Sequence, residues 1–199
     1  MIFFPSIPDP IIECNYDNVY RPSDDTFLIL DYFKQNITHL YFDDIKITKI
    51  ENILDLGTGT GIIAIFFQLI KTIYSNFNPK IYASDILFDS TKCAIKNEKA
   101  NGIRNEIVFI NSNLFKSFPD NLKKTFNIII FNPPYLPSSK LIEMKKEIDL
   151  SWDGGEQGYN LTIKFLKNAL TYLNLNSDHY IYCITSSRTN LEKFNEEIK

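Results

Sequence analysis

Short apolar runs alternate with amphipathic segments along most of this 199-residue chain. Five apolar runs of strand length predict β-strands at residues 50–56, 80–84, 106–110, 126–131 and 180–184. Segments with helical spacing lie between and after them, at 62–71, 90–101, 159–173 and 190–199. Strands that alternate with helices form right-handed βαβ units, in which helices cover both faces of a parallel sheet. The pattern therefore predicts an α/β fold, doubly wound, with a mostly parallel sheet.

Two details refine this pattern. Ser23 is a suitable N-cap for a helix that runs to Phe33. Acidic residues in the first turn of this helix interact favourably with the helix dipole. Residues 35–49 show neither helical nor strand periodicity and are predicted to be irregular. The fourth apolar run contains three consecutive isoleucines at 128–130, which is typical of a strand buried on both faces.

Composition and charge exclude several classes of protein. An apolar content of 44% and a charged content of 23% describe an ordinary globular domain with a substantial core. The net charge of −3 argues against a dedicated nucleic-acid-binding protein. The first residues have no basic start, and the longest apolar run, 62–67, is far short of the ~20 residues that span a membrane. We therefore expect a single cytoplasmic domain, residues 1–199, without a membrane segment.

The cysteines do not form a metal or disulfide pattern. Cys14, Cys93 and Cys183 are odd in number and far apart, and only His39 and His179 could join them as ligands. Three buried thiols in a reducing compartment are expected, and no metal site.

Six of the seven glycines form two clusters, which are Gly57, Gly59 and Gly61, and Gly154, Gly155 and Gly158. The first cluster follows a strand and opens a helix, where doubly wound sheets bind ligands. Its spacing is G-x-G-x-G, whereas a dinucleotide fingerprint requires a glycine in place of Ile62. Asp85, at the end of the second strand, is placed to accept hydrogen bonds from a ribose diol. A ribose-containing ligand is favoured, with a ligand-free turn and a nicotinamide enzyme as alternatives.

The segment from Asp55 to Gly61, together with the acid that ends the second strand, resembles the first motifs of S-adenosylmethionine-dependent methyltransferases. The resemblance implies a Rossmann-like class I methyltransferase fold. In that fold the glycine loop cradles the amino-acid end of the cofactor, Asp85 holds the ribose, and Ile86 borders the adenine. Residues 113 and 114, after the third strand, are expected at the adenine edge.

The tetrapeptide Asn132-Pro133-Pro134-Tyr135 follows the fourth strand directly. Methyl transfer to an amide or aromatic amine needs orientation, because the delocalised nitrogen lone pair makes a poor nucleophile. An asparagine side-chain oxygen and a backbone carbonyl can each accept one N–H hydrogen bond and hold the nitrogen in place. The prolines stiffen the loop, and Tyr135 offers a flat face to the substrate. Nitrogen methylation is predicted, with a Pro-Pro turn of no catalytic role as the alternative.

This tetrapeptide resembles that of methyltransferases acting on exocyclic or amide nitrogens, which include adenine and cytosine DNA enzymes and the glutamine-amide enzymes of the HemK family. Residues 19–28 are similar to the entry motif of the short archaeal and eukaryotic HemK-like enzymes, and residues 151–158 carry their W-x-G-G-x-x-G pattern. The first segment is expected to fold over the cofactor, and the second to wall the substrate pocket. An ordinary helix start and a helix cap are the respective alternatives.

The resemblance implies a set of site residues. Catalytic roles fall to Asn132, Pro133 and Tyr135. The implied substrate contacts are Asn132, Pro133, Pro134, Tyr135, Trp152, Gly154 and Gly155. The implied cofactor-binding residues are Tyr20, Asp24, Thr26, Asp55, Gly57, Thr58, Gly59, Gly61, Asp85, Ile86, Asn113, Leu114 and Asn132. Residues 1–49 are expected to cover the cofactor site, and residues 50–199 to form the Rossmann-like core.

By family, the implied substrate is the glutamine of the Gly-Gly-Gln motif in a class I translation termination (release) factor, and the product is N5-methylglutamine. The short enzymes work with a small zinc-binding activator protein at an exposed sheet edge. The third strand usually lies at an edge of the sheet, and here residues 107–110 are apolar. An exposed apolar edge strand tends to pair with another chain, so we expect a partner protein to cover it. We therefore expect a heterodimer. A nitrogen-directed DNA or RNA methyltransferase, a protein lysine methyltransferase and an idle binding module are the alternatives.

Two positions and the C-terminal end of the sequence depart from the family pattern. Arg21 stands where relatives usually have glutamate, and Asn113 where many have an acid, although an amide oxygen also accepts from the adenine amino group. The sequence ends after the helix that follows the fifth strand, so the usual C-terminal antiparallel strand pair is expected to be missing and the fifth strand exposed.

Overall fold

The computed structural model describes residues 7–135, 154–155, 157–186, 189 and 191–198. Within these residues the helices are α1 (Asp24–Asn36), α2 (Ile62–Ile73), α3 (Phe88–Ala100), α4 (Asn160–Tyr172) and α5 (Leu191–Glu197). The strands are β1 (Tyr41–Phe42), β2 (Ile45–Lys46), β3 (Asn52–Leu56), β4 (Lys80–Asp85), β5 (Ile107–Asn111), β6 (Ile128–Phe131) and β7 (Tyr180–Cys183). Short 3-10 helices cover Ile47–Lys49 and Asp120–Leu122.

The five longer strands form one parallel sheet in the order β5-β4-β3-β6-β7. The order reverses between β3 and β6, so the loops that follow these two strands open a crevice at the carboxyl edge of the sheet. In the register of the sheet, Leu56 lies beside both Ser84 and Phe131. The predicted α/β, doubly wound fold is confirmed, and the predicted strand beginnings at residues 50 and 126 are each two residues early.

The core consists of two apolar clusters, one on each face of the sheet. The first includes α2 and the inner face of α1, and the second includes Phe165 and Tyr172 of α4. Side chains of β6 alternate between the clusters, because Ile128 and Ile130 belong to the first and Ile129 to the second. The prediction that this strand is buried on both faces is confirmed.

The prediction that residues 35–49 are irregular is wrong. They contain the hairpin of β1 and β2, whose turn residue Asp43 has a positive φ of 48°. Its Phe42 ring stacks on Tyr182 of β7, with ring centroids 5.6 Å apart. The Tyr182 hydroxyl donates a hydrogen bond to the carboxylate of Asp43, and that of Tyr180 donates to Asp44. These contacts, formed by residues about 140 apart in sequence, attach the hairpin to β7.

The expectation of three buried thiols is correct only for Cys93. Its side chain is fully buried in α3, and burial is the main cause that raises its pKa to about 12. Cys14 and Cys183 are only partly buried, because the first lies in the extended segment before α1 and the second in the outermost strand.

Strands β5 and β7 form the two edges of the sheet within the part of the chain that the structure describes. The edge position of β5 agrees with the expected place of the third strand, and Val108, Phe109 and Ile110 are partly exposed there. Strand β7 forms the other edge and is partly buried throughout. None of the helices formed by the described residues has the length and apolar character of a membrane span.

Candidate functional site

A cavity of about 710 Å³ lies at the carboxyl ends of the sheet strands. Its walls come from the segment before α1, the loops after β3, β4, β5 and β6, and the beginning of α4. This is the crevice at which doubly wound sheets bind their ligands.

Most of the predicted site residues line this cavity. They are Tyr20, Thr26, Gly57, Thr58, Gly59, Asp85, Ile86, Asn113, Leu114, Asn132, Pro133, Pro134, Tyr135, Gly154 and Gly155. The structure differs from the sequence-based assignment at Asp24, Asp55 and Gly61, which do not line the cavity. Trp152 lies outside the described residues.

The loop after β3 needs its glycines for two different reasons. Gly57 and Gly59 have φ values of 70° and 54°, a region that side-chain-bearing residues rarely occupy. A Cβ at Gly57 would also lie 3.0 Å from the Phe131 ring. Gly61, with φ of 85°, faces away from the cavity, and a Cβ there would lie 2.8 Å from the Cβ of Ala94 in α3. Two glycines therefore shape the cavity wall, and the third lets α2 and α3 approach each other.

The side chain of Asp55 holds this loop in place through hydrogen bonds. Its Oδ2 accepts hydrogen bonds from the Thr58 hydroxyl at 2.6 Å and from the Ala64 backbone N–H at 3.2 Å. Complete burial is the main cause that raises the pKa of Asp55 to about 7. The charge of Asp85 also raises it, while the two hydrogen bonds lower it. Asp55 is therefore a structural link between the loop and the first turn of α2.

The raised pKa of Asp55 gives a testable pH dependence. Because the folded-state pKa of about 7 lies above the ordinary value of 3.8, the stabilising contribution is complete below about pH 4 and is lost as the pH rises through 7. Asparagine at this position does not titrate. The free energy of unfolding of Asp55→Asn relative to the wild type should therefore increase with pH across this window, by at most about 1.4 kcal/mol per pH unit.

Urea denaturation of both proteins between pH 4 and pH 8 measures this difference. A difference that stays constant across the window would show that Asp55 titrates normally. Exposed carboxylates contribute equally to both proteins and cancel in the comparison.

Asp85 uses both carboxylate oxygens to organise the cavity wall. Oδ2 accepts the Gly59 backbone N–H and Oδ1 accepts that of Leu87, each at 2.9 Å. Burial is the main cause that raises its pKa above the ordinary value. The carboxylate therefore joins the glycine loop to the start of α3 and borders the cavity at the place predicted for a ribose.

The tetrapeptide after β6 is held by a residue that sequence reasoning missed. The side-chain amide of Asn132 and the hydroxyl of Tyr135 both donate to Oδ2 of Asp25, each at 3.0 Å. Burial and the charge of Asp25 raise the pKa of Tyr135 to about 12, so its hydroxyl remains a donor. The side-chain oxygen of Asn132 is buried and accepts no hydrogen bond from the described residues.

A signal for Asp25 was present in the sequence. The buried stripe of α1 passes through Ile29 and Phe33, and Asp25 precedes them at the same four-residue spacing. Asp24 lies in the row of Leu28, whose side chain is 66% exposed. The apolar stripe therefore distinguishes the two acids.

The second glycine cluster lies against the tetrapeptide. A Cβ at Gly154 would lie 2.8 Å from the carbonyl oxygen of Pro134, so this close approach requires glycine. The carbonyl of Gly154 also accepts the backbone N–H of Asn160 at 3.1 Å, at the beginning of α4. The segment is therefore both a wall of the cavity and a helix start.

Arg21 does not line the cavity. Its guanidinium donates to the carbonyl of Cys14 at 3.5 Å, on the exposed side of the N-terminal segment. Its side chain therefore contacts the N-terminal segment and not the cavity wall.

The residues present fit S-adenosylmethionine. A positive-φ glycine loop, a buried carboxylate at the end of the next strand and a cavity of about 710 Å³ match a ligand that carries an amino acid and a nucleoside. A buried, unpartnered acceptor on the cavity wall is costly for the protein alone and is typical of a position that a ligand completes.

Comparison with known sequences agrees with this geometry. Residues 36–147, more than half of the chain, match the family described as Methyltransferase small domain. The chain is 30% identical over 158 residues to a "Putative protein N5-glutamine methyltransferase" of Methanocaldococcus jannaschii, covering 79% of this chain and 68% of that protein. It is 24% identical over 201 residues to methyltransferase HEMK2 of Mus musculus, covering 98% and 86%.

Solved structures share the fold. A ribosomal protein L11 methylase from Lactobacillus delbrueckii subsp. bulgaricus has a TM-score of 0.58 at 17% identity, covering 90% of this chain and 69% of that one. The N-terminal domain of human METTL16, in complex with SAH, has a TM-score of 0.56 at 14% identity, covering 94% and 65%. With the glycine loop, Asp85 and the tetrapeptide lining one cavity, these matches show that the chain belongs to the methyltransferase small domain family and is a HemK-like, S-adenosylmethionine-dependent methyltransferase.

Proposed function

We propose that this enzyme methylates the glutamine side-chain amide of the Gly-Gly-Gln motif in a class I translation termination factor and forms N5-methylglutamine. The observation that carries the proposal is the state of Asn132: Asp25 accepts from its side-chain nitrogen, while its side-chain oxygen is buried at the cavity wall and accepts nothing from the described residues. The nitrogen of a primary amide carries N–H groups, and one of them can donate a hydrogen bond to this oxygen. The names of relatives point the same way, since they include protein N5-glutamine and release factor glutamine methyltransferases.

The tetrapeptide orients the substrate nitrogen. The Asn132 Oδ1 and the Pro133 carbonyl oxygen accept its two N–H groups, and the ring of Tyr135 supports the plane of the amide. When bound, S-adenosylmethionine supplies an electrophilic methyl group. Because an amide nitrogen is a poor nucleophile, fixed geometry supplies most of the rate enhancement, and no strong base is required. Water takes up the proton that the nitrogen loses after transfer.

The cofactor is held by residues on the opposite wall. Gly57, Thr58 and Gly59 offer backbone groups to its amino-acid end, and Asp85 accepts from its ribose. Ile86 and Leu114 border the adenine. Asn113 accepts from the adenine amino group through its side-chain oxygen.

The substrate peptide enters beside the second glycine cluster. Gly154 and Gly155 line the cavity next to Pro134, and their own Cβ directions are filled by the carbonyl oxygens of Gly158 and Pro134 and by the side chain of Asn160. The segment is therefore packed firmly against the tetrapeptide, and the substrate peptide would pass along this fixed wall.

A small zinc-binding activator protein is proposed to pair with β5. Support comes from the edge position of Ile107–Asn111 and from the partial exposure of its apolar residues 108–110. Uncovered apolar edge strands favour pairing with another chain. The partner would extend the sheet on the side away from β7.

The test combines purified enzyme, methyl-labelled S-adenosylmethionine and the termination factor, with and without the activator. Label is expected on the glutamine of the Gly-Gly-Gln motif and is expected to be absent from a factor in which this glutamine is alanine. DNA, RNA and a lysine-rich protein serve as competing acceptors. Label on any of these, with none on the factor, would overturn the proposal.

A further inference from the structure

We propose that Asp25 is a positioning residue that holds the carboxamide of Asn132 in one of its two possible orientations and thereby sets the acceptor that the substrate nitrogen meets. The part that concerns the substrate rests on the function proposed above. The part that concerns Asn132 stands on the protein alone.

The carboxylate of Asp25 receives hydrogen bonds from two separate parts of the chain. Oδ2 accepts from the side-chain nitrogen of Asn132 and from the hydroxyl of Tyr135, each at 3.0 Å. Oδ1 accepts from the hydroxyl of Tyr20 at 3.1 Å and from the backbone N–H and hydroxyl of Thr26 at 2.7 and 3.3 Å. One side chain therefore ties the N-terminal segment to the catalytic tetrapeptide.

A carboxylate is suited to this task because it only accepts hydrogen bonds. The carboxamide of Asn132 has a donor end and an acceptor end of nearly equal size. Beside an acceptor-only neighbour, the donor end turns toward Asp25, and the oxygen is left for another donor. That oxygen is buried and has no partner among the residues that the structure describes, as this arrangement requires.

The neighbouring tyrosine completes the arrangement. Tyr135 stays protonated because burial and the charge of Asp25 raise its pKa to about 12, so it too can donate to Oδ2. Two residues of the tetrapeptide are thus fixed by one oxygen atom. In the reverse orientation the N–H groups of Asn132 would face the N–H groups of the substrate. Because two donors cannot form a hydrogen bond, the substrate nitrogen would not be held.

The variant that tests this inference is Asp25→Asn, whose side chain has the same size but both donor and acceptor ends. The matched control is Asp31→Asn, which removes a carboxylate from an exposed position on the same helix. We expect Asp25→Asn to lower kcat about 100-fold, as expected for a misplaced reacting group. The Kd for S-adenosylmethionine should stay close to the wild-type value, and the control should match the wild type in both.

A second measurement needs no substrate. In spectra of protein labelled with ¹⁵N-asparagine, the side-chain pair of Asn132 is the one missing from Asn132→Ala. This pair should shift in Asp25→Asn and remain in place in Asp31→Asn. If the wild type does not methylate the termination factor, the proposed function fails, while this spectrum still decides the role of Asp25.

Two results would overturn the inference: an unchanged kcat in folded Asp25→Asn, or an unshifted Asn132 pair. If Asp25→Asn does not fold, Asp25→Ala takes its place, because it removes the acceptor that holds the side-chain nitrogen of Asn132. A lower kcat with unchanged cofactor affinity in this variant supports the inference, and an unchanged kcat contradicts it.

Discussion

Replacement of Asn132 by alanine is expected to lower kcat about 100- to 1000-fold, which is the typical cost of losing one hydrogen-bonding group at the reacting atoms. The physical reason is that alanine removes the buried oxygen that accepts the substrate N–H. The Kd for S-adenosylmethionine should change little, because the glycine loop and Asp85 form the cofactor wall independently of this side chain. Initial rates with labelled cofactor and calorimetric titration measure the two quantities.

Asn176→Ala is the matched control for this variant. Asn176 is exposed in the turn before β7, far along the chain from the tetrapeptide, and its loss should leave both quantities at the wild-type level. If Asn132→Ala instead weakens cofactor binding as strongly as it lowers kcat, the division of the cavity into a cofactor wall and a substrate wall is wrong.

Gly61→Ala is expected to reduce the free energy of unfolding by about 3 kcal/mol. The φ of 85° costs about 1 kcal/mol for a residue with a side chain. The remainder, about 2 kcal/mol, comes from overpacking, because the new methyl group would lie 2.8 Å from the Cβ of Ala94 and 3.0 Å from its Cα. A loss of this size is a large fraction of the stability of a typical domain.

Gly102→Ala separates the two contributions. Gly102 has a φ of 74°, but a Cβ there meets nothing within 4 Å, so alanine should cost only the backbone contribution of about 1 kcal/mol. Urea denaturation of the wild type and both variants gives the comparison. Equal losses at the two positions would mean that the approach of α2 to α3 does not depend on the glycine.

The sheet was the part of the fold most accessible from the sequence. The buried strands consist of apolar runs because parallel strands covered on both faces have no polar side, and Ile128–Phe131 is buried at every position. The hairpin at 41–46 was not predicted because its strands have two residues each, too few for a period to appear. Its position depends on contacts of Phe42, Asp43 and Asp44 with a strand that lies more than 130 residues later.

The candidate site was predicted in part for the same kind of reason. The glycine loop and the tetrapeptide can be recognised in the sequence, because the residues that carry their chemistry are neighbours at fixed spacing. Asp25 lies in the entry segment 19–28, but its partners Asn132 and Tyr135 are more than 100 positions away. The apolar stripe of the helix indicates which of the two adjacent acids faces the protein, since they point about 100° apart, but it does not indicate what that acid binds.

The sequence by itself determined the class of fold, the order of the strands along the chain and the residue types that a methyl-transfer site needs, because apolar periodicity and short motifs are local properties. The tertiary structure alone decided that Asp25 binds Asn132 and Tyr135, which glycine serves packing instead of the cavity, and how the N-terminal hairpin attaches to β7. Each of these depends on distances between residues remote in sequence, and such distances exist only when the sheet has brought the carboxyl ends of its strands together.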